Sequence, residues 1–91
     1  MKPTYVDLVA PTELALVDNI EYTLTDVTNL TFTFPSDKFE CYITLTTSLD
    51  TPHIAFPNSA KYIGAYPAFA SDETWEISVK NGIVVAAKVV M

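Results

Sequence analysis

The stretch that decides the fold is Phe39-Glu40-Cys41-Tyr42-Ile43-Thr44-Leu45-Thr46. Apolar side chains occupy every second position from Phe39 to Leu45, so an extended chain here has one apolar face and one face of Glu, Tyr and Thr. The β-branched threonines suit a pleated surface and disfavour a helix. The stretch therefore predicts a long β-strand with one buried face.

The same alternation continues on both sides of this strand. Residues 20–25, 29–34 and 74–80 each place apolar residues at every second position. The residues that we expect to face inward are Ile20, Tyr22 and Leu24; Leu30, Phe32 and Phe34; and Trp75, Ile77 and Val79. The turn-prone residues 26–29 separate the first two strands, and Pro52 ends the long one because proline cannot donate to a central ladder.

Turn signals complete the fold prediction. Asn81-Gly82 joins two β-rich runs and favours a type I′ hairpin, which needs positive φ at both positions. The first nineteen residues are less regular. Thr12 would cap a helix over residues 13–17, but Ala15 stands where a capping box needs Glu or Gln, so we prefer a strand there. The expected fold is all-β, a small antiparallel β-sandwich or barrel-like domain with a C-terminal Asn-Gly hairpin, and a single domain spans residues 1–91.

A loose internal echo is also present. The segment that begins at Phe34-Pro35 and ends at Phe39 resembles the segment that begins at Phe56-Pro57 and ends at Tyr62. Two such copies do not establish a repeat architecture.

Composition and charge narrow the class of function. Hydrophobic residues form 49% of the 91 residues, enough to build one core, and the net charge is −6 with dispersed acidic residues. Nucleic-acid binding needs clustered Lys and Arg and is not expected. The opening residues lack the unbroken apolar stretch of a signal peptide, and no segment has the length of a membrane span, so we expect no membrane partner.

Candidate catalytic chemistry is sparse. His53 is the single histidine, with Ser48, Asp50 and Ser59 near it in sequence, but a catalytic triad is a spatial arrangement and no Gly-x-Ser-x-Gly elbow is present. Cys41, the only cysteine, falls on the inward face of its strand and is expected to be a buried structural thiol. We therefore expect no enzyme activity, no metal and no cofactor.

The last apolar run suggests an interface. Residues 83–90 are apolar on both faces, which indicates a strand covered on both sides. The second cover is either another subunit or the apolar residues 6–17 of the same chain, and the sequence leaves the two open. The candidate interface residues are Ile83, Val84, Val85, Lys88, Val89 and Val90.

The aromatic-rich loop before the Trp75 strand has two interpretations. Tyr62, Tyr66 and Phe69 could form a surface that binds a carbohydrate or a peptide. In a small β-domain, aromatic residues of this density more often close the open end of the core. We favour core packing.

The residues from Ile54 to Phe69, continuing through Thr74 to Ile83, carry a family resemblance. The pattern is an aromatic-Pro (Phe56-Pro57), a Lys and a Gly (Lys61, Gly64), Pro-x-Phe (67–69), an aromatic-Glu-Ile strand (75–77) and Asn-Gly. It resembles a C-terminal β-module of small structural proteins from tailed bacteriophages, found in tail, fibre and head-decoration components.

The resemblance implies a virion structural protein, made in the cytoplasm of the bacterial host, that acts as an adaptor, decoration or fibre- or tail-associated subunit. Its partners would be other virion proteins and copies of itself, often as trimers in fibre-like relatives. The alternative is a stand-alone carbohydrate- or peptide-binding module.

Overall fold

A computed structural model describes residues 4–90, and within that range the chain forms nine β-strands and no helix. The strands are β1 (Thr4–Val9), β2 (Glu13–Ala15), β3 (Ile20–Val27), β4 (Asn29–Thr33), β5 (Glu40–Thr47), β6 (His53–Ala55), β7 (Lys61–Tyr62), β8 (Thr74–Lys80) and β9 (Ile83–Lys88). They form a six-stranded sheet in the order β1-β3-β5-β8-β9-β7 and a three-stranded sheet in the order β2-β4-β6.

The first six strands wind as a β-solenoid of three turns. In each turn a long strand lies in the large sheet and the next, shorter strand lies in the small sheet. Strands β1, β3 and β5 are mutually parallel, as are β2, β4 and β6. Parallel neighbours need a crossover connection, usually a helix. Here a strand of the opposite sheet provides it.

The corners between the sheets are short, and polar groups fix them. Thr28 alone separates β3 from β4. Its hydroxyl lies 2.7 Å from the Ser48 hydroxyl in the corner of the following turn. The Ser48 N–H donates to Val27 O, and the His53 N–H donates to Thr28 O. Hydrogen bonds therefore join these two successive corners, just as hydrogen bonds join neighbouring strands.

The winding ends where β8 reverses direction. Strand β8 pairs antiparallel with β5, β9 pairs antiparallel with β8, and the two-residue β7 pairs parallel with β9. Asn81 and Gly82 connect β8 to β9 with φ of 52° and 83°, and Lys80 lies opposite Ile83. The Asn81 side-chain oxygen accepts a hydrogen bond from the Phe39 N–H at 2.8 Å, which ties this connection to the start of β5.

The core lies between the two sheets. Neighbouring strands place Leu24, Leu45 and Trp75 side by side, and a second row holds Tyr22, Ile43 and Ile77. All six side chains are buried. The small sheet contributes Leu30 and Phe32 from the opposite side. These are the inward faces that the alternation of the sequence predicted.

The predicted antiparallel sandwich or barrel is wrong. The chain is all-β, but consecutive strands from β1 to β7 alternate between the sheets, and most neighbours within a sheet are parallel. No described strand joins the edge strands β1 and β7, so the large sheet does not close into a barrel. A two-residue alternation shows which side chains share a face, and it is the same for parallel and antiparallel neighbours.

Candidate interaction surface

The outer face of the large sheet is the face directed away from the small sheet, and it carries several exposed apolar side chains. One row across five strands runs Tyr5, Glu21, Tyr42, Ser78 and Val85. Tyr5 is 69% exposed, Tyr42 45% and Val85 40%. These side chains face outward because their neighbours along each strand, one residue away, point into the core.

A shallow groove of about 310 Å³ crosses the middle of this outer face. Tyr42, Val85 and Ala87 line the groove. Glu21 and Glu76 contribute carboxylates to it. The Tyr42 hydroxyl donates to Glu40 Oε2 at 2.6 Å. That hydrogen bond, followed by the negative charge of Glu40, raises the pKa of Tyr42. The groove thus combines an oriented phenol with apolar side chains and acidic neighbours.

The structure divides the predicted interface residues between two sides of β9. Ile83 and Val85 lie on the outer face, each 40% exposed, whereas Val84 is 1% exposed and belongs to the core. Lys88 is the last residue of the strand and lies opposite Trp75, and its ammonium pairs with Glu73 Oε2 at 2.8 Å. Beyond the strand, Val89 is half-buried and Val90 is 87% exposed. Ile83 and Val85 are the members of the set that remain on a sheet surface.

The alternative in which residues 6–17 of the same chain cover residues 83–90 is wrong. Strand β1 lies at one edge of the large sheet, and β3, β5 and β8 separate it from β9. The apolar residues of β1 and β2 therefore cover the first turn of the solenoid and do not reach β9. Strand β9 has one buried face and one face of exposed apolar residues.

The three aromatic residues proposed as a ligand surface pack differently. Phe69 lies against Trp75, with ring centroids 4.9 Å apart, and both contact the core. Tyr62 packs on the core and against Tyr66 at 4.8 Å, and Tyr66 itself is 56% exposed. Burial, with a smaller contribution from Tyr66, raises the pKa of Tyr62. Tyr66 is the one member of the three that is largely exposed.

Glu73 anchors the irregular segment that precedes β8. Its Oε1 accepts hydrogen bonds from Trp75 Nε1 at 3.1 Å and from the Ala70 N–H at 3.0 Å, while Oε2 pairs with Lys88. The Lys88 ammonium, then the Trp75 indole and the Ala70 amide, lower the pKa of Glu73 to about 2. This carboxylate holds the loop, the core tryptophan and the end of β9 together, which is a structural role.

Two of the residues considered for catalysis, Ser48 and Cys41, have structural roles. The Ser48 hydroxyl bonds with the Thr28 hydroxyl and accepts from the Asp50 N–H at 3.2 Å, so it helps to build a corner. Cys41 is fully buried in the core; that burial, with the nearby Asp18 and Glu40 charges, raises its thiol pKa to about 12. Across residues 4–90, no group of three or more His, Cys, Asp and Glu side chains is arranged to hold a metal ion.

Sequence reasoning missed Tyr5 and Val9 as surface residues and did not single out Tyr42. The alternation did place Tyr42 on the outward face of its strand, and an aromatic residue at an outward position was the available signal. Tyr5 and Val9 fell in the segment whose strand register the sequence left undecided.

Comparison with protein-family models, curated proteins and solved structures finds no match to this chain. Within the described residues, no helix is long and apolar enough to span a membrane.

Proposed function

We propose that this protein is a structural subunit of a tailed-bacteriophage virion, an adaptor, decoration or fibre- or tail-associated component that acts through protein-protein assembly. The observation that carries the proposal is the outer face of the large sheet, where Tyr42 and Val85 are exposed at a shallow groove and Ile83 is exposed on the same face. The sequence resemblance of residues 54–83 to a phage β-module supplies the biological setting.

The chemistry of this face suits a protein partner. Tyrosine is enriched at protein interfaces because it offers a large, rigid ring with a polar tip, and the core of an interface is apolar within a polar rim. Tyr42 has that character, and Val85 and Ala87 provide apolar area beside it. The face is wide and shallow, as expected for contact with another protein surface.

The charges on this face indicate the sign of the charge expected on the partner. The outward positions of the large sheet include four acidic residues, Asp7, Glu21, Glu40 and Glu76, against two lysines, Lys61 and Lys80. Complementary potentials guide association and select partners. We therefore expect the partner surface to be basic around an apolar centre.

Particle analysis tests the proposal. Mass spectrometry of purified virions should detect the wild-type protein, and Val85→Glu should greatly reduce its incorporation because it adds a charge to the apolar centre. Leu49→Glu is the matched control, since Leu49 is 83% exposed in a corner away from this face and the same charge there should leave incorporation unchanged. Virions that lack the wild-type protein would refute the proposed function.

A second candidate, a carbohydrate- or peptide-binding module, has one observation in its favour. Tyr66 is 56% exposed beside Tyr62, and the adjacent Ile63 is 64% exposed. An exposed aromatic ring can stack on a sugar or hold an apolar peptide side chain. Glycan-array or peptide-array binding that Tyr66→Ala abolishes, with the fold intact, would favour this candidate; absence of binding by the wild-type protein would dismiss it.

A further inference from the structure

The edges of the two sheets differ in how well they are protected. Strand β7 has two residues and includes Lys61, and β2 and β6 have three residues each. Short edges and lysine both discourage pairing with another chain. Strand β1 differs, with six residues, Thr4–Val9, and neither proline nor lysine among them.

The open side of β1 presents backbone groups that can pair. The Thr4 N–H donates to Asn19 O, and the Ala10 N–H donates to Thr25 O, so the even-numbered residues bond towards β3. Backbone groups alternate in direction along a strand. The N–H and C=O groups of Tyr5, Asp7 and Val9 therefore point to the open side, where no strand among residues 4–90 pairs with them.

The first turn also leaves the end of the core incompletely covered. Val6 and Leu8 are half-buried, whereas Tyr22 and Leu24, their neighbours on β3, are 3% and 0% exposed. In the small sheet, Leu14 is half-buried beside the fully covered Phe32. Stacked repeats need a polar cap at the ends because each repeat is covered only by its neighbours. Apolar residues at this end indicate a further layer.

We propose that a second copy of this chain provides that layer, through antiparallel pairing of β1 with β1 of the second copy about a two-fold axis. In this pair the outer faces of the two large sheets lie on the same side of the joined sheet. Two residues that lie opposite each other must therefore both point inward or both point outward. The register centred on Val6 meets this condition and places Val6 opposite Val6 of the second copy.

The sequence of β1 is self-complementary in this register. Each Tyr5 lies opposite Asp7 of the other copy, and the N–H and C=O groups of these two residues bond to each other. In this register no two carboxylates are directly opposed. The register centred on Asp7 opposes the two Asp7 carboxylates and is disfavoured. Strand β2 lies at the same end of its sheet, so the pairing also brings the two exposed ends of the core together.

A closed pair follows because the interface is the same on both copies. A head-to-tail stack would need β1 to pair with the opposite edge of the large sheet, and β7 offers only two residues there. The pairing uses the edge of the sheet and leaves the outer face around Tyr42 and Val85 free. It is therefore independent of the virion role.

Sedimentation velocity with edge variants tests the pairing. The wild-type protein should sediment at twice its 10.0 kDa mass, with a concentration-dependent return to the monomer. Asp7→Pro removes one outward N–H without disturbing a bond to β3, so it should remain folded and become a monomer. The matched control Asp7→Thr keeps that N–H and removes a charge, and it should dimerise at least as tightly as the wild type.

Amide hydrogen exchange gives a second readout that needs no variant. The Tyr5 and Asp7 amides should exchange slowly in the dimer and rapidly on dilution to the monomer. A wild-type protein that is monomeric at every concentration, or an Asp7→Pro variant that still dimerises, would overturn the proposal. Val85→Glu should remain a dimer even where it is lost from virions, which separates failure of this inference from failure of the proposed function.

Discussion

The rings of Phe32 and Phe56 stack almost parallel, with centroids 4.7 Å apart and planes inclined by 9°. Phe32 is in β4 and Phe56 directly follows β6, so the stack continues the register that places Leu30 beside Ile54. At this equivalent position, two consecutive turns therefore carry the same side chain. In a solenoid, like residues stack because each turn repeats the backbone path of the one before.

Removal of one ring from this stack should be costly. Phe32→Ala should lower the free energy of unfolding by about 3–5 kcal/mol, the usual cost of truncating a buried phenylalanine. Urea denaturation followed by tryptophan fluorescence measures it. A double-mutant cycle of Phe32→Leu and Phe56→Leu should give a coupling of about 0.5–1.5 kcal/mol for the stacked pair. Additive single effects would mean that the stack adds nothing beyond burial.

Replacement of Gly82 should strain the β8-β9 connection. Gly82 has φ of 83°, in the left-handed region that a β-branched residue resists. Gly82→Val should destabilise the protein by at least about 1–2 kcal/mol, measured by chemical denaturation. Gly82→Asn is the matched control and should lose less, because asparagine tolerates this conformation. Equal losses for the two variants would contradict a conformational cause. Steric crowding is not expected to contribute, because the ring atoms of Phe34 lie 3.9 Å from an added Cβ, an ordinary van der Waals distance.

Acid should weaken the Glu73 junction within a defined pH range. The folded-state pKa of Glu73 is lowered from 4.5 to about 2, so its stabilising contribution is complete above pH 4.5 and is lost as the pH falls towards 2. The difference in melting temperature between the wild type and Glu73→Gln should therefore shrink over that range. In a Lys88→Met background, which removes the main cause of the shift, the pH dependence should be smaller. A constant difference from pH 4.5 to 2 would contradict the prediction.

The Cys41 thiol should be inert in the folded protein. Its pKa is raised to about 12 and the side chain has no exposed area, so neither thiolate nor access is available. A thiol reagent in mildly alkaline buffer should label the native protein only at the rate of unfolding and should label the protein in urea at once. Since Cys41 is the only cysteine, the signal needs no correction for other thiols. Rapid labelling of the native protein would show that the core opens locally at β5.

The sequence predicted the faces of the strands well because burial acts on each residue locally. Cys41, Ile43 and Leu45 are buried as the alternation of β5 indicated. Strand direction was not available in the same way. Since each crossover is a strand of three to five residues and not a helix, the sequence contains no helical segment to indicate a parallel sheet.

The internal echo was a weak trace of the solenoid. Both echoing segments, 34–39 and 56–62, follow a strand of the small sheet and lead the chain back to the large one. Their sequence alignment pairs Phe34 with Phe56, whereas in space Phe56 stacks on Phe32. The turns differ in length, and this shift obscured the period in the sequence.

The candidate surface could be predicted only in part. Ile83 and Val85 were identified from the apolar character of the last strand, but Val84, between them, faces the core. The row that joins Tyr5, Tyr42 and Val85 depends on which strands are neighbours and in which register. Those pairings connect residues far apart in the chain, which local patterns do not record.

The reversal at β8 determines where this domain can change length. A whole turn inserted between β4 and β5 would add one strand to each sheet and leave the antiparallel end intact, because each turn contacts only its neighbours. Material added after β9 would meet antiparallel strands and the two-residue β7, which offer no matching turn. Variation in the reach of such a domain should therefore arise by duplication within its first half, in steps of one complete turn.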